Sequence, residues 1–164
     1  MNRKVGRAGA VIGASLLGLA ALFATTGTAN AAPSACRTST KSFDIPNNLD
    51  PTVHIELCVR QDDADVIATA HVEWNRGSIG TVGQAFDTFD FDLRLERDDV
   101  TQSRAACNVK DRINDQKNGD HYCYTSWKRK GSAKTWSADG TVKYNINNDG
   151  KGDYTWQLTG TPRI

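Results

Sequence analysis

Two carboxylates that could carry acid–base chemistry, Asp90 and Asp92, lie two residues apart in the segment Phe86–Arg97. Residues at positions i and i+2 of a β-strand share a face and lie about 6.6–6.8 Å apart, near the carboxylate spacing of inverting glycosidases. Catalysis by such a pair requires one carboxyl whose pKa is raised in a cleft. Because Arg94 and Arg97 follow closely, we expect both acids to stay ionised on a solvated, non-catalytic strand face.

The segment Asn145–Asp153 partly matches a calcium-binding loop. Oxygen-bearing side chains at offsets 1, 3, 5 and 9 and glycine at offset 6 fit the EF-hand pattern. The segment departs from the pattern in two ways. Offset 1 carries the amide of Asn145 rather than the usual Asp carboxylate, and Trp156 replaces the bidentate Glu at offset 12. Because alternating segments end at Ile146 and resume at Tyr154, a hairpin turn accounts for the same residues. We therefore predict a hairpin and no metal site here.

The histidines do not form a recognisable catalytic set. His54 and His71 fall on the polar faces of two strands that are expected to pair, while His121 lies far along the chain. No Ser or Cys is placed as a nucleophile with an acid to orient its base. The sequence has no CxxC pair, so a zinc site is not predicted. We therefore predict a non-enzymatic protein without a metal or cofactor.

Aromatic side chains are plentiful for a chain of this length, with four tryptophans and four tyrosines. A row of exposed rings would indicate sugar binding by stacking. Trp74 and Trp156 alternate with core residues, so we expect them to be buried. Trp136, between Thr135 and Ser137, is the best candidate for exposure.

The clearest structural signal is the period-two alternation from Phe89 to Glu96, which places four large apolar side chains on one face and charged side chains on the other. Further strands are predicted over Val53–Val59, Val66–Trp74, Tyr122–Trp127, Val142–Ile146 and Tyr154–Leu158, with a short one at Trp136. A short helix carrying Val109 and Ile113 is predicted, with Asn108 as its cap. About seven or eight short strands and little helix predict an all-β, single-domain antiparallel β-sandwich, with a small barrel as the alternative.

The first 31 residues have the features of a secretory signal peptide. Arg3, Lys4 and Arg7 precede an apolar segment, and Ala29-Asn30-Ala31 offers small residues for cleavage. We therefore expect a secreted protein with a signal peptide at 1–31, an extended N-terminal arm at 32–42 and a β-sandwich domain at 43–164. Cleavage leaves 17 Lys and Arg against 19 Asp and Glu, a formal charge of −2. This weakly acidic balance favours neither nucleic acid nor an anionic membrane as a partner.

All four cysteines lie in the exported part of the chain. An even number of cysteines in an oxidising compartment indicates two disulfides. Four cysteines allow three pairings, and we favour Cys36–Cys58 with Cys107–Cys123, because each bridge would close a short local loop.

The segments Phe89–Val100 and Asp149–Leu158 resemble those of small secreted β-proteins from Streptomyces-type actinomycetes. In size, export, cysteine number and layout, the chain also resembles the adaptor subunit of umbrella toxin particles. That resemblance implies a disulfide-bonded β-domain that bridges a lectin subunit with a degenerate trypsin-like domain to a large stalk-bearing toxin subunit. It further implies that the N-terminal extension enters the cleft of the lectin subunit.

The expected function is therefore that of a protein-binding adaptor in an extracellular antibacterial complex. The partner-binding element would be Ala32, Pro33, Ser34 and Ala35, which are small and uncharged and have their base tied down by Cys36. Small residues lose little side-chain entropy on binding and let the backbone approach a narrow cleft closely. A carbohydrate-binding module and a secreted protease inhibitor are the alternatives.

Overall fold

The computed structural model of the chain describes residues 33–77, 83–132 and 135–164. The predicted signal peptide lies outside the described residues, as does Ala32. Two antiparallel sheets share one apolar core, so the predicted all-β sandwich is confirmed. Within the described ranges, no helix has the length and apolar character needed to cross a bilayer.

Nine strands and one short helix occur among the described residues. In chain order they are β1 (Ser34–Ser42), β2 (Thr52–Asp62), β3 (Asp65–Asn75), β4 (Phe86–Arg97), β5 (Val100–Asn108), α1 (Lys110–Asp115), β6 (Asn118–Tyr124), β7 (Lys128–Arg129), β8 (Trp136–Ile146) and β9 (Tyr154–Gln157). The first sheet has the order β1-β2-β3-β6, and β7 pairs with the start of β3. The second sheet has the order β5-β4-β8-β9.

The core lies between the sheets and is built from the alternating apolar side chains. Strand β4 has the predicted bounds, and its inward residues Phe89, Phe91, Leu93 and Leu95 are at most 1% exposed. Phe43, which follows β1, packs edge-on against Phe86 with ring centroids 4.9 Å apart. Aromatic pairs in this geometry stabilise a core beyond their buried area.

Strand β8 is longer than the sequence indicated. Two separate strands, at Trp136 and at Val142–Ile146, form one continuous strand of 11 residues. Gly140 occupies an inward position of this strand, and the ring of Phe91 fills the space where its side chain would be. A Cβ at Gly140 would lie 2.6 Å from Cε2 of Phe91. The alternation was hidden because one of its core positions has no side chain.

Strands β1 and β5 were not recognised as strands because neither has an alternating apolar face. Residues 34–42, predicted as an extended arm, pair along their whole length with β2. Strand β5, Val100–Asn108, lies where no strand was predicted. Cys107 is the only fully buried residue of these two strands, so their sequences show no apolar alternation. The predicted helix is present as α1 with Ile113 buried, but Val109 rather than Asn108 precedes it at the cap position.

Arg76 holds the connection that leads into β6. Its buried guanidinium donates hydrogen bonds to the carbonyl oxygens of Gly83 (2.7 Å) and Ile113 (3.2 Å), among others. Burial lowers the pKa of Arg76. The backbone N–H of Arg76 also donates to the carbonyl of Lys117 at 2.7 Å, which fixes the start of β6 beside the end of β3.

Candidate binding surface

The outer face of the second sheet carries the predicted acids in a network around Arg94. The guanidinium of Arg94 contacts carboxylate oxygens of Asp139 at 2.9 Å, Glu96 at 3.1 Å and Asp92 at 3.4 Å. Its Nη1 also donates to Oγ1 of Thr141 at 3.1 Å. We call Asp92, Arg94, Glu96 and Asp139 the ion-pair face.

The electrostatics of the ion-pair face favour the charged form of Arg94. Burial acts against the Arg94 guanidinium, but hydrogen bonds to Glu96 and Asp139 and their charges outweigh it, so the pKa of Arg94 is raised. Asp90 is exposed, with a 3.4 Å contact from the side-chain amide of Asn108. Arg97 does not lie with these acids as predicted, because its guanidinium lies 5.8 Å from the ring centroid of Trp136.

The segment that partly matches a calcium loop is a hairpin between β8 and β9, as predicted. The carboxylate of Asp149 accepts hydrogen bonds from the Lys151 backbone N–H (2.8 Å) and the Tyr154 hydroxyl (3.0 Å). The side-chain amide of Asn145 donates to Asp153 at 3.1 Å. These oxygen atoms therefore serve the turn itself.

Both predicted disulfides are present and consistent with an oxidising compartment. The Cys36–Cys58 bridge joins directly opposed residues of β1 and β2. The Cys107–Cys123 bridge links β5 of the second sheet to β6 of the first. In the described part of the chain, the one group of three potential metal ligands is Cys36, Glu56 and Cys58. Its two sulfur atoms are bonded to each other, so this group is not a metal site.

Trp136, the tryptophan considered the best candidate for exposure, is buried. Trp136 is 1% exposed, and its Nε1 donates a hydrogen bond to the carbonyl of Lys130 at 3.1 Å. The polar neighbours Thr135 and Ser137 suggested exposure, but residues adjacent in a strand face the opposite way. Their polarity describes the outer face of β8, whereas Trp136 itself belongs to the inner face.

Exposed rings are grouped instead on the outer face of the first sheet, along β6 and the residues after it. Tyr122, Tyr124 and Trp127 are 51%, 57% and 49% exposed. His71 lies beside them on β3, directly opposite Tyr122. We call His71, Tyr122, Tyr124 and Trp127 the aromatic surface. Clustered exposed aromatic side chains are typical of a recognition site, whereas single ones are common on any surface.

The rings of His71, Tyr122 and Tyr124 share nearly one orientation. His71 stacks on Tyr122 with centroids 4.1 Å apart and planes inclined by 6°. The rings of Tyr122 and Tyr124 are inclined by 13° with centroids 6.4 Å apart, close to the spacing of alternate strand residues. The geometry of the strand therefore sets the distance between the two tyrosine rings, and stacking against His71 restricts the orientation of the Tyr122 ring.

The aromatic surface is positioned by the core on the other side of β6. Cys123 lies between the two tyrosines in sequence, is 3% exposed and is bonded to Cys107. Because side chains alternate along a strand, burying Cys123 forces Tyr122 and Tyr124 to face outward. After Tyr124 the chain is held by Thr125, whose backbone N–H donates to the carbonyl of Ala68 at 3.0 Å.

A groove of about 630 Å³ adjoins the aromatic surface at its Trp127 end. Tyr124 and Trp127 supply its aromatic walls, and the remaining lining residues are Arg60, Gln61, Asp62, Ile67, Thr69 and Thr125. Apolar walls combined with a few convergent polar groups are characteristic of ligand sites. The basic residues Lys128 and Arg129 follow Trp127 and form β7, and Arg129 contacts Asp65 at 3.5 Å.

The opposite end of the aromatic surface is acidic. Glu73 lies directly across from Asp120 on the neighbouring strand, and Glu56 lies directly across from His71. His71 Nε2 lies 3.2 Å from a carboxylate oxygen of Asp120. We call Glu56, Glu73 and Asp120 the acidic end.

The predicted partner-binding residues lie at the edge of the same sheet. Pro33 and Ser34 are exposed, and Ser34 is directly opposite Arg60, which lines the groove. Ala35 belongs to β1 and packs partly against the core. Ala32 lies outside the described residues. No family model matches the chain, and no curated protein or solved structure matches it.

Proposed function

We propose that this protein is a secreted, non-enzymatic carbohydrate-binding protein and that the aromatic surface is its ligand site. The observation that carries the proposal is the group of three aromatic side chains, each about half exposed, on one sheet edge. Burying such rings in the core would stabilise the fold, so their exposure here favours a role outside the fold.

The geometry suits a linear sugar chain. A pyranose ring has C–H bonds on its faces and hydroxyl groups around its rim, so its faces stack on aromatic rings and its rim forms hydrogen bonds. Tyr122 and Tyr124 provide two nearly parallel rings whose centroids lie 6.4 Å apart. Arg60, Gln61 and Asp62 line the adjoining groove and provide planar polar groups that can pair with neighbouring hydroxyls.

The test is calorimetric titration of the mature chain, which begins at Ala32, with hexasaccharides of glucose, xylose, N-acetylglucosamine and glucosamine. We expect at least one of them to bind. Tyr122→Ala and Trp127→Ala should each weaken that binding by about tenfold, which corresponds to about 1.4 kcal/mol.

Val100 provides a matched control because it is 60% exposed and lies on β5, in the other sheet. Val100→Ala should leave the affinity unchanged. The proposal fails if the wild-type protein binds none of the four sugars at millimolar concentration. It also fails if Val100→Ala weakens binding as much as the changes on the aromatic surface.

The adaptor role in an extracellular toxin complex is a second candidate, favoured by the position of Ser34 at the start of β1. Because Ser34 lies directly opposite Arg60, β1 begins beside the groove that Arg60 and Trp127 line. A protein partner that takes up Ala32, Pro33, Ser34 and Ala35 would therefore reach the same end of the sheet. Pull-downs from native culture supernatant should recover that partner with the full mature chain and lose it with a chain starting at Ala35. Equal recovery would contradict this role for the N-terminal residues.

A further inference from the structure

Tyr122 and Tyr124 have nearly parallel rings but different neighbours on β3. Directly opposite Tyr122 lies His71, whose ring covers the face of Tyr122 that is turned towards β3, with centroids 4.1 Å apart and planes inclined by 6°. Directly opposite Tyr124 lies Thr69, which has no ring. Because the two tyrosine rings are inclined by only 13°, Tyr124 turns the corresponding face towards Thr69. One tyrosine face is therefore covered by the protein itself, and the equivalent face of the next tyrosine is open.

The open face of Tyr124 borders the groove of about 630 Å³, since Thr69 and Tyr124 both line it. The groove follows β3, where Ile67 and Thr69 share the outer face. Ile67 is 6% exposed and gives the groove an apolar floor. Arg60, which is directly opposite Ile67 on β2, forms the other side of the groove. We call the space between the Tyr124 ring and Arg60 the Tyr124 slot.

The width of the Tyr124 slot is set by the sheet. Strand β3 lies between β2 and β6, so two strand spacings, about 10 Å, separate the strands that carry Arg60 and Tyr124. The His71 ring keeps its centroid 4.1 Å from that of Tyr122. A ligand ring stacked on Tyr124 at that distance would lie above β3, with Arg60 on its other side. The slot therefore has room for a single ring.

The chemistry of that ring follows from the one that covers Tyr122. The His71 ring is flat and has polar atoms on its rim, and its Nε2 lies 3.2 Å from a carboxylate oxygen of Asp120. Around the Tyr124 slot, the polar side chains of Arg60 and Asp62 are available to the rim of a ligand ring. A pyranose has apolar C–H faces and a rim of hydroxyl groups, so it matches both parts of the slot. An aromatic side chain such as that of Phe has an apolar rim and would match only the tyrosine face.

We propose that one pyranose ring of the ligand inserts into the Tyr124 slot, and that the ligand is a chain of sugars whose ring substituents are all equatorial. Equatorial substituents lie close to the mean plane of the ring, so such a ring is thin enough to lie between Tyr124 and Arg60. An axial hydroxyl projects from the ring face and would hold the ring away from its stacking distance. This inference rests on the proposed carbohydrate-binding function and specifies the class of sugar. Thr69 is the residue whose small side chain keeps the slot open.

The first experiment is calorimetric titration of the mature chain with β-1,4-linked hexamers of glucose, xylose, N-acetylglucosamine and mannose. The first three have only equatorial ring substituents, whereas mannose has an axial hydroxyl at C2. We expect the tightest of the first three to bind at least about tenfold more tightly than the mannose hexamer, because specificity of this kind comes from a steric clash with the wrong ligand.

The second experiment closes the slot. Thr69→His places beside Tyr124 the kind of ring that already covers Tyr122, so it should weaken binding of the tightest hexamer by at least about tenfold. Thr69→Val keeps the size of the side chain and should preserve the affinity. Thr155→His is the matched control, because it makes the same substitution at an exposed position of β9 in the second sheet, and it should also preserve the affinity. Urea denaturation establishes that each variant is folded.

The two proposals can fail separately. Unchanged affinity of Thr69→His would overturn the slot, and so would a loss in Thr69→Val as large as that in Thr69→His. Binding of the mannose hexamer as tight as that of the best other hexamer would overturn the sugar class. These outcomes leave the carbohydrate-binding function standing. Tighter binding of N-acetyltryptophanamide than of every hexamer would overturn the inference in favour of an aromatic side chain. If none of the hexamers binds at millimolar concentration, both proposals fail.

Discussion

The outer faces of the two sheets are built from similar strands but differ in how their charged side chains are paired. On the second sheet, the carboxylates of the ion-pair face converge on Arg94, which is 14% exposed. On the first sheet, Glu73 faces Asp120 without a Lys or Arg partner among the described residues, and three large rings are half exposed. The charges of the first arrangement are paired within the fold, whereas the rings and carboxylates of the second are exposed to solvent. This difference is the reason why the outer face of the first sheet, rather than that of the second, is proposed as the binding surface.

The largest expected effect is the loss of stability when either disulfide is removed. Cys107→Ala/Cys123→Ala and Cys36→Ala/Cys58→Ala open loops of similar length, with separations of 16 and 22 residues. Each pair of changes should lower the free energy of unfolding by about 3 kcal/mol in the chain-entropy model, as measured by urea denaturation.

Only the first double variant should also weaken sugar binding under conditions where both proteins stay folded. The Cys107–Cys123 bridge anchors β6, which carries both tyrosines, whereas the Cys36–Cys58 bridge joins β1 to β2. Equal loss of binding in the two double variants would show that the aromatic surface does not depend on where β6 is anchored.

A smaller effect tests whether the ion-pair face is a structural element. Arg94→Met leaves three carboxylates close together without their shared cation, so it should lower the free energy of unfolding by about 2 kcal/mol. Arg104→Met is the matched control, because Arg104 is 63% exposed and lies 3.8 Å from Asp92. It should cost less than about 0.5 kcal/mol. Similar costs for the two changes would contradict the view that this face is organised by Arg94.

The smallest expected effect is an increase in the free energy of unfolding. Glu73→Gln removes one of two directly opposed like charges, so it should raise the free energy of unfolding by about 0.3 kcal/mol at low salt. Asp139→Asn on the other sheet removes a partner of Arg94 and should lower it. Differential scanning calorimetry at low and high salt measures both changes. A destabilising Glu73→Gln would mean that the acidic end, like the ion-pair face, is satisfied within the fold.

Several features of this protein could be predicted from its residues because they depend on local patterns. The alternation in Phe86–Arg97 predicted β4 with its observed bounds, since a period of two fits only a half-buried strand. The hairpin of β2 and β3 followed from two alternating segments joined by a short polar turn. The disulfide pairing followed from closing short loops, and both bridges are present.

The aromatic surface was only partly predictable. Tyr122 and Tyr124 were assigned to a strand, but which side faces solvent depends on the position of Cys123. The disulfide supplies this information. Cys123 is bonded across the sandwich and points inward, so its neighbours in β6 point outward. The exposure of Trp127 had no local signal, because it follows the end of β6.

The remaining features were decided by tertiary structure. The face-to-face placement of Glu73 and Asp120, 47 residues apart in sequence, depends on the register between β3 and β6. The burial of Trp136 depends on the packing of one sheet on the other, and the continuity of β8 depends on the Phe91 ring that covers Gly140. A sequence reports the preferences of neighbouring residues through their periodicity, but it does not report which distant strand will lie alongside. The strands themselves were therefore readable from the chain, whereas the surface proposed to bind a ligand was created by their pairing.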